Sequence, residues 1–279
     1  MNKNLLTFFF KTLVYIFAAI GFFLVVGYIA VKFGWTNTSG IIDTQNETFF
    51  QQGVHGVTEK NLDTSWTQTE EWHILKAAII KDQSVIKKAA SDADISPRLL
   101  VAQLVVEQLR LYNSNREIFE QVFAPLKILG NQSQFSWGIM GLKQETAIEI
   151  EEHLKDTTSP FYLGPTYQTM LDFTSENHDQ ERFERIVNEH DHSWSYLYAS
   201  LFIKQIETQW QKAGFDISQK PEIVSTLYNI GFARSIPKAD PKVGGAEIMI
   251  NGTAYSFGSL AFYFYYSQEL RDQFPIETM

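Results

Sequence analysis

The sequence predicts a mainly α-helical protein with one small β-hairpin, preceded by an N-terminal transmembrane helix. The chain has 279 residues, of which 44% are apolar and 20% charged, an ordinary globular composition. After position 66 the apolar residues recur at helical spacing, and strand-like alternation is nearly absent. The exception is 247–255, where Asn251-Gly252 is a strong hairpin turn signal.

An uncharged run of 20 residues, Thr12 to Val31, predicts the transmembrane helix. At about 1.5 Å per residue a helix of that length spans the ~30 Å hydrocarbon core. A cleaved signal peptide is the alternative, but its apolar region would normally be shorter. The flanking Lys3 and Lys11 then predict a cytoplasmic N-terminus (1–11), a single-pass anchor in the cytoplasmic membrane (12–32) and an extracytoplasmic domain.

The remainder divides into a polar tether at 33–66 and one helical domain at 67–279. Thr67-Gln68-Thr69-Glu70 fits a capping box at the first helix of this domain. Ser96-Pro97 begins the next helix, since serine is a good N-cap and proline is favoured at the first helical position. Further helical patterns lie near 116–129, 144–154, 180–189, 194–212 and 221–229.

Charge and composition exclude several function classes. The absence of cysteine excludes a disulfide framework, thiolate metal sites and a cysteine nucleophile. With a net charge of −9 the chain is a poor candidate for binding nucleic acid. The segment His190-Asp191-His192 lacks the spacing of a helix-borne metal site, so we expect neither a metal nor a cofactor.

Glu107 interrupts an apolar helix, directly after Leu104-Val105-Val106. The carboxyl group either faces solvent at the helix edge or sits in a cleft. A carboxyl group in an apolar cleft stays protonated to higher pH, which suits a general acid. This segment alone leaves both interpretations open.

Together with Glu107, two later segments resemble the motifs of lytic transglycosylases and goose-type lysozymes. The family places its catalytic glutamate ten residues after a proline, as Glu107 follows Pro97. Its Ser-x-Gly-x-Met-Gln motif, which continues to a Thr-Ala pair, resembles 136–147, and its Ala-Tyr-Asn-x-Gly motif resembles 227–231. The best candidate for its Gly-x-x-Tyr-Leu motif is 199–203. The motifs occur in family order across about 97–231.

The sequence departs from the family pattern at three positions. Gln108 stands where the family has serine, Gly141 where it has glutamine, and Phe202 where it has a tyrosine. Gln108 is still polar and is a candidate substitute for the serine. These changes affect catalytic competence and substrate contacts more than the fold.

The resemblance implies cleavage of the β-1,4 bond between N-acetylmuramic acid and N-acetylglucosamine in peptidoglycan. Glu107 would protonate the glycosidic oxygen and then, as carboxylate, deprotonate the muramic acid C6 hydroxyl, giving a 1,6-anhydro product. Peptidoglycan glycan strands would be the binding partner. The resemblance also implies a set of substrate-binding residues: Gln108, Ser136, Gly138, Met140, Tyr228 and Asn229.

Two alternatives stay open on the same resemblance. A catalytically weak or inactive relative would bind glycan or act as a scaffold in the cell envelope, and the three departures favour it. A hydrolysing muramidase would need a second base to activate water, and the sequence singles out none.

Overall fold

The computed structural model describes residues 3–32, 41–42, 62–113 and 136–276, and these are mainly helical, as the sequence predicts. By internal contacts the chain divides into two units, one containing α1 and the other containing the remaining elements named below. The helices are α1 (Lys3–Lys32), α2 (Glu70–Lys81), α3 (Gln83–Asp92), α4 (Pro97–Asn113), α5 (Gln144–Lys155), α6 (His178–Val187), α7 (Ser193–Lys212), α8 (Pro221–Ile230) and α9 (Phe257–Tyr266). The strands are β1 (Ile41–Ile42), β2 (Ser136–Trp137), β3 (Leu142–Lys143), β4 (Gly244–Gly245), β5 (Glu247–Ile250) and β6 (Thr253–Ser256).

The N-terminal segment is helical, but the predicted membrane anchor needs correction. Among the residues that the structure describes, no helix is both long and apolar enough to cross a membrane. A helix that spans the membrane needs about 20 consecutive, predominantly apolar residues. The predicted transmembrane anchor at 12–32 is therefore wrong. The same correction applies to the single-pass placement in the cytoplasmic membrane, since that placement depended on the anchor.

Helix α4 lies at the centre of the second unit. Pro97 opens it, as predicted, and its apolar residues are buried on every side rather than along one stripe. Helices α2, α3, α8 and α9 all pack against it. A polar residue on α4 is therefore placed in the protein interior unless it lies near the C-terminal end.

Helix α9 is formed by the aromatic sequence after the hairpin, and all ten of its residues are buried. It packs against α4 and α8. Ser256 caps its N-terminus by accepting from the Ser259 backbone N–H at 3.1 Å, and the Ser259 hydroxyl accepts from the Ser256 N–H at 2.9 Å. The hydrophobic core is thus a stack of α9, α4 and α8.

A buried arginine joins α4 to the C-terminal end of α9 and to the segment that follows it. The guanidinium of Arg98 donates to five backbone carbonyl oxygens at 2.6–3.1 Å. Burial lowers the pKa of Arg98 to about 10. The carbonyl groups left unpaired at the C-terminal end of α9 thereby gain donors. The five acceptors belong to Phe264, Tyr265, Ser267, Glu269 and Phe274.

The described strands form three short antiparallel pairs, β1 with β4, β2 with β3 and β5 with β6. The β5–β6 hairpin confirms the turn predicted at Asn251-Gly252, where both residues have positive φ, 49° and 81°. The other two pairs contain only two residues per strand, which is too short for a recognisable alternation in the sequence.

The entry into α2 differs from the predicted capping box. Thr69, not Thr67, is the N-cap, and its hydroxyl accepts from the Trp72 backbone N–H at 3.2 Å. Thr67 instead lies in the 3₁₀ turn Ser65–Gln68, where its hydroxyl donates to the Thr64 carbonyl oxygen at 2.7 Å. Trp66, at the end of the predicted tether, is fully buried in the core. The helix predicted near 116–129 and most of the predicted tether lie outside the described residues.

Candidate active site

Glu107 lies on the C-terminal half of α4 and is only 3% exposed, so the burial of that helix carries the carboxylate into the interior. Its partner is Arg110, three residues later on the same face. The Arg110 Nε donates to the Glu107 Oε2 at 3.1 Å, and a terminal guanidinium nitrogen donates to Oε1. The two groups form a partly buried, doubly hydrogen-bonded ion pair.

The turn between β2 and β3 packs its backbone against this carboxylate. Gly141 has φ of +61°, and a β-carbon on this residue would overlap the Glu107 Oε1. The Gly141 N–H donates to the Gly138 carbonyl oxygen at 3.2 Å, which closes the turn. Only glycine combines this positive φ with the close approach, so the residue type at 141 and the position of the carboxylate depend on each other.

Gln108 fastens the same turn to α4. Its side-chain Nε2 donates to the carbonyl oxygen of Ile139 at 2.5 Å. The side-chain amide of Gln108, which was predicted to bind substrate, therefore donates a hydrogen bond to the protein backbone.

Tyr228, on α8, closes the site from a third element. Its hydroxyl donates to the carbonyl oxygen of Met140 at 2.9 Å. Burial, together with the nearby negative charge of Glu107, raises the pKa of Tyr228 well above its ordinary value, and the positive charge of Arg110 opposes this shift. The tyrosine therefore remains a neutral hydrogen-bond donor, directed at the turn rather than at the carboxylate. The side chain of Met140 is completely buried.

Gly138 packs against another part of the protein. Its φ is +62°, and a β-carbon there would overlap the carbonyl oxygen of Ile186 in α6. The need for glycine at this position is thus explained by packing against α6. Ser136 contributes its backbone to β2, opposite Lys143, and its side chain lies outside the described residues.

Asn229 points to the strands after α8. Its Oδ1 accepts from the Ala246 backbone N–H at 2.8 Å, between β4 and β5. A β-carbon on Gly245 would lie 3.1 Å from the same oxygen. This asparagine therefore positions the β4–β5 segment, and within the described part of the chain no hydrogen bond joins it to Glu107.

The structure thus brings together Glu107, Gln108, the 138–141 turn and Tyr228, whereas Asn229 contacts a neighbouring region. Arg110 was not among the site residues predicted from the sequence. The signal was present, because residues three apart on a helix are neighbours and Arg110 is the nearest cation to Glu107 in sequence. No group of three or more His, Asp or Glu side chains that could hold a metal ion occurs within the described ranges.

Chemically, the arrangement offers one buried carboxylate, one guanidinium on it, and one tyrosine hydroxyl beside it. A single carboxyl group can donate and then accept a proton at one place. No family model, curated protein or solved structure matches the chain.

Proposed function

We propose that this protein is a peptidoglycan lytic transglycosylase that uses Glu107 as general acid and then as general base. The observation that carries the proposal is the convergence of three separate sequence motifs. Glu107 lies against the backbone of Gly141, and the Tyr228 hydroxyl donates a hydrogen bond to the carbonyl oxygen of Met140 in the same turn. These segments come from 107, 136–147 and 227–231, the regions on which the resemblance to lytic transglycosylases rests.

In the proposed reaction the protonated Glu107 gives its proton to the glycosidic oxygen as the bond to the muramic acid C1 breaks. The resulting carboxylate takes the proton of the muramic acid C6 hydroxyl, whose oxygen closes onto C1. The proton count balances without water, and a second carboxylate is not required, unlike in ordinary glycoside hydrolysis. The buried Tyr228 holds the turn that packs against this carboxylate.

Arg110 sets a condition on this mechanism. Both carboxylate oxygens of Glu107 accept hydrogen bonds from Arg110. Neither oxygen can donate a proton to the glycosidic oxygen while this pair is closed, so the ion pair has to open when the glycan binds. Glycan binding must also expose a carboxylate that is almost completely buried in this structure.

The same ion pair favours a second candidate function, a glycan-binding or scaffold protein of the cell envelope with weak or no catalysis. In that function Glu107 and Arg110 are a structural pair that holds the 138–141 turn. Gln108 and Gly141 fit this function as well, since the first is bonded to Ile139 and the second is packed on Glu107.

The test compares the full chain with Glu107→Gln and with Glu189→Gln, a variant of an exposed glutamate. Each protein is incubated with purified peptidoglycan, and the released fragments are measured by mass. We expect fragments one water lighter than hydrolysis products from the wild type and from Glu189→Gln, and none from Glu107→Gln.

The other outcomes reject the proposal in different ways. Water-added products would identify a muramidase and require a second carboxylate. No release from any of the three proteins, with sedimentation on sacculi retained, would support the binding or scaffold function. Circular dichroism of Glu107→Gln distinguishes lost chemistry from lost folding.

A further inference from the structure

A cleft of about 290 Å³ lies between α8 and the loop 234–245, on a different face of α8 from Tyr228. Its lining includes none of the residues gathered around Glu107. The floor is apolar, and its volume equals that of about ten water molecules in the liquid. Small-molecule sites in proteins begin near this size. The floor is formed by Trp210, Ile223, Leu227, Ile230 and Val243.

The rim of the cleft is cationic, although the whole chain carries a net charge of −9. Arg234, Lys238 and Lys242 line it, and no carboxylate among the described residues does. The Lys242 Nζ lies 3.3 Å from the Asp240 Oδ2 on the same loop. Arg234 and Lys238 are exposed and form no ion pair with any described residue. Two cations are therefore available to a ligand at the mouth of an apolar cleft.

An exposed apolar side chain lies between these cations. Ile236 lines the same cleft and is 67% exposed, one of the few large apolar side chains left open to solvent in this unit. A ligand that entered the cleft would cover it. The cleft thus offers contact area for an apolar body and a positive rim for a negatively charged head.

We propose that this cleft binds a small amphiphilic anion. Its apolar body would lie on the apolar floor, and its carboxylate or phosphate head would lie between Arg234 and Lys238. An unbranched chain of about eight carbons matches the volume of the cleft. With its head group such a ligand has about ten heavy atoms, and the cleft has the volume of about ten water molecules. Carboxylate and phosphate share the chemistry that a guanidinium recognises. The proposal is independent of peptidoglycan cleavage.

The test measures binding of octanoate to the full chain by equilibrium dialysis at low ionic strength. Octyl phosphate, octanol and octylamine are the comparison ligands, which keep the apolar body and change the head. We expect both anions to bind, octanol to bind about tenfold more weakly than octanoate, and octylamine more weakly still. The ratio of octanoate to octyl phosphate affinity identifies the preferred head group.

Variants locate the binding in the cleft. Arg234→Gln combined with Lys238→Gln is expected to weaken octanoate binding about tenfold and to leave octanol binding unchanged. The matched control, Lys81→Gln combined with Lys87→Gln, removes the same charge from exposed positions elsewhere and should change neither. Ile236→Ser should weaken octanoate and octanol together, by a few fold.

Three results would overturn the proposal: equal affinity for octanol and octanoate, equal loss in the rim and control variants, or no octanoate binding at all. All the substituted side chains are exposed, so the variants are expected to fold. Peptidoglycan cleavage by the rim variant should equal that of the wild type, which keeps the two proposals separately testable.

Discussion

The carboxylate of Glu107 fills the space that a β-carbon at position 141 would need. Glu107 is on the central helix, and Gly141 is in a turn that follows more than thirty residues later in the sequence. The family that the sequence resembles has glutamine at the position of Gly141. In this chain a glutamine side chain at position 141 could not be accommodated without moving Glu107. The glycine found there is therefore explained by the local packing of the site.

Gly141→Ala should therefore destabilise the fold more than a glycine substitution that meets only backbone strain. The positive φ costs about 1–2 kcal/mol for any L-residue, and the overlap with the Glu107 side chain adds about 1–3 kcal/mol. Gly252→Ala is the matched control, because its φ is +81° and nothing lies within 4 Å of its β-carbon position. Urea unfolding of both variants measures the difference. Equal losses would mean that Glu107 does not constrain position 141.

Arg110→Met should lower the free energy of unfolding by about 3 kcal/mol, because it leaves the buried Glu107 carboxylate unpaired. The control is Lys88→Met, which breaks an exposed i,i+4 pair with Asp92. We expect that control to cost at most about 0.5 kcal/mol. Adding Glu107→Gln to Arg110→Met should recover part of the loss. A loss no larger than that of Lys88→Met would contradict a structural contribution of the pair.

Arg98→Met should be among the most damaging single substitutions, with a loss of about 3–5 kcal/mol. It leaves buried carbonyl oxygens without donors. Arg98→Lys keeps the charge but supplies three donors instead of five, so an intermediate loss is expected. Guanidinium chloride unfolding followed by tryptophan fluorescence provides the measurement. If the lysine variant were as stable as wild type, charge rather than the hydrogen-bond geometry would be the important property.

Glu222 gives the fold a defined pH dependence. Burial raises its pKa from 4.5 to about 7, and one oxygen of this carboxyl has no hydrogen-bond partner. Between these two pH values the folded protein holds a proton that the unfolded chain releases, so the free energy of unfolding falls as pH rises from 4.5 to 7. The penalty, about 3 kcal/mol for a shift of this size, then persists above pH 7.

Glu222→Gln should accordingly be more stable than wild type at pH 8 and nearly equal to it at pH 4. Urea unfolding at pH 4, 6 and 8 tests this, with the exposed Glu189→Gln as control. Glu207, whose pKa burial also raises to about 7, remains in both proteins, so its contribution cancels in the comparison. A difference between Glu222→Gln and wild type that did not change with pH would contradict the prediction.

The sequence predicted the elements whose signals are local. Helices α5 and α7 keep one side partly exposed, α8 has proline at its first position, and the hairpin has Asn251-Gly252 at its turn. Helix α9 was missed because it is apolar on every side, so it has neither the period of a surface helix nor that of a strand. The membrane anchor was predicted from composition over one window, which the described part of α1 does not support.

The candidate site divides in the same way. The motif order predicted that Glu107 and Tyr228 would lie near one another, and the ion pair with Arg110 could have been read from the i,i+3 spacing. The contacts of Gly138 with Ile186 and of Asn229 with Ala246 could not, because each depends on how distant elements pack. Sequence patterns within one element do not predict contacts of this kind between distant elements.

The Arg98 cluster also has a consequence for synthesis on the ribosome. Arg98 is made 166–176 residues before the carbonyl groups that bind it. Until the segment 264–274 has left the exit tunnel, α4 carries a charged group next to Pro97 at its N-terminal end whose hydrogen-bond acceptors are not yet present. That charge keeps the nascent helix hydrated and opposes early burial of the central helix. The hydrogen bonds around Arg98 can therefore form only after the segment 264–274 has emerged.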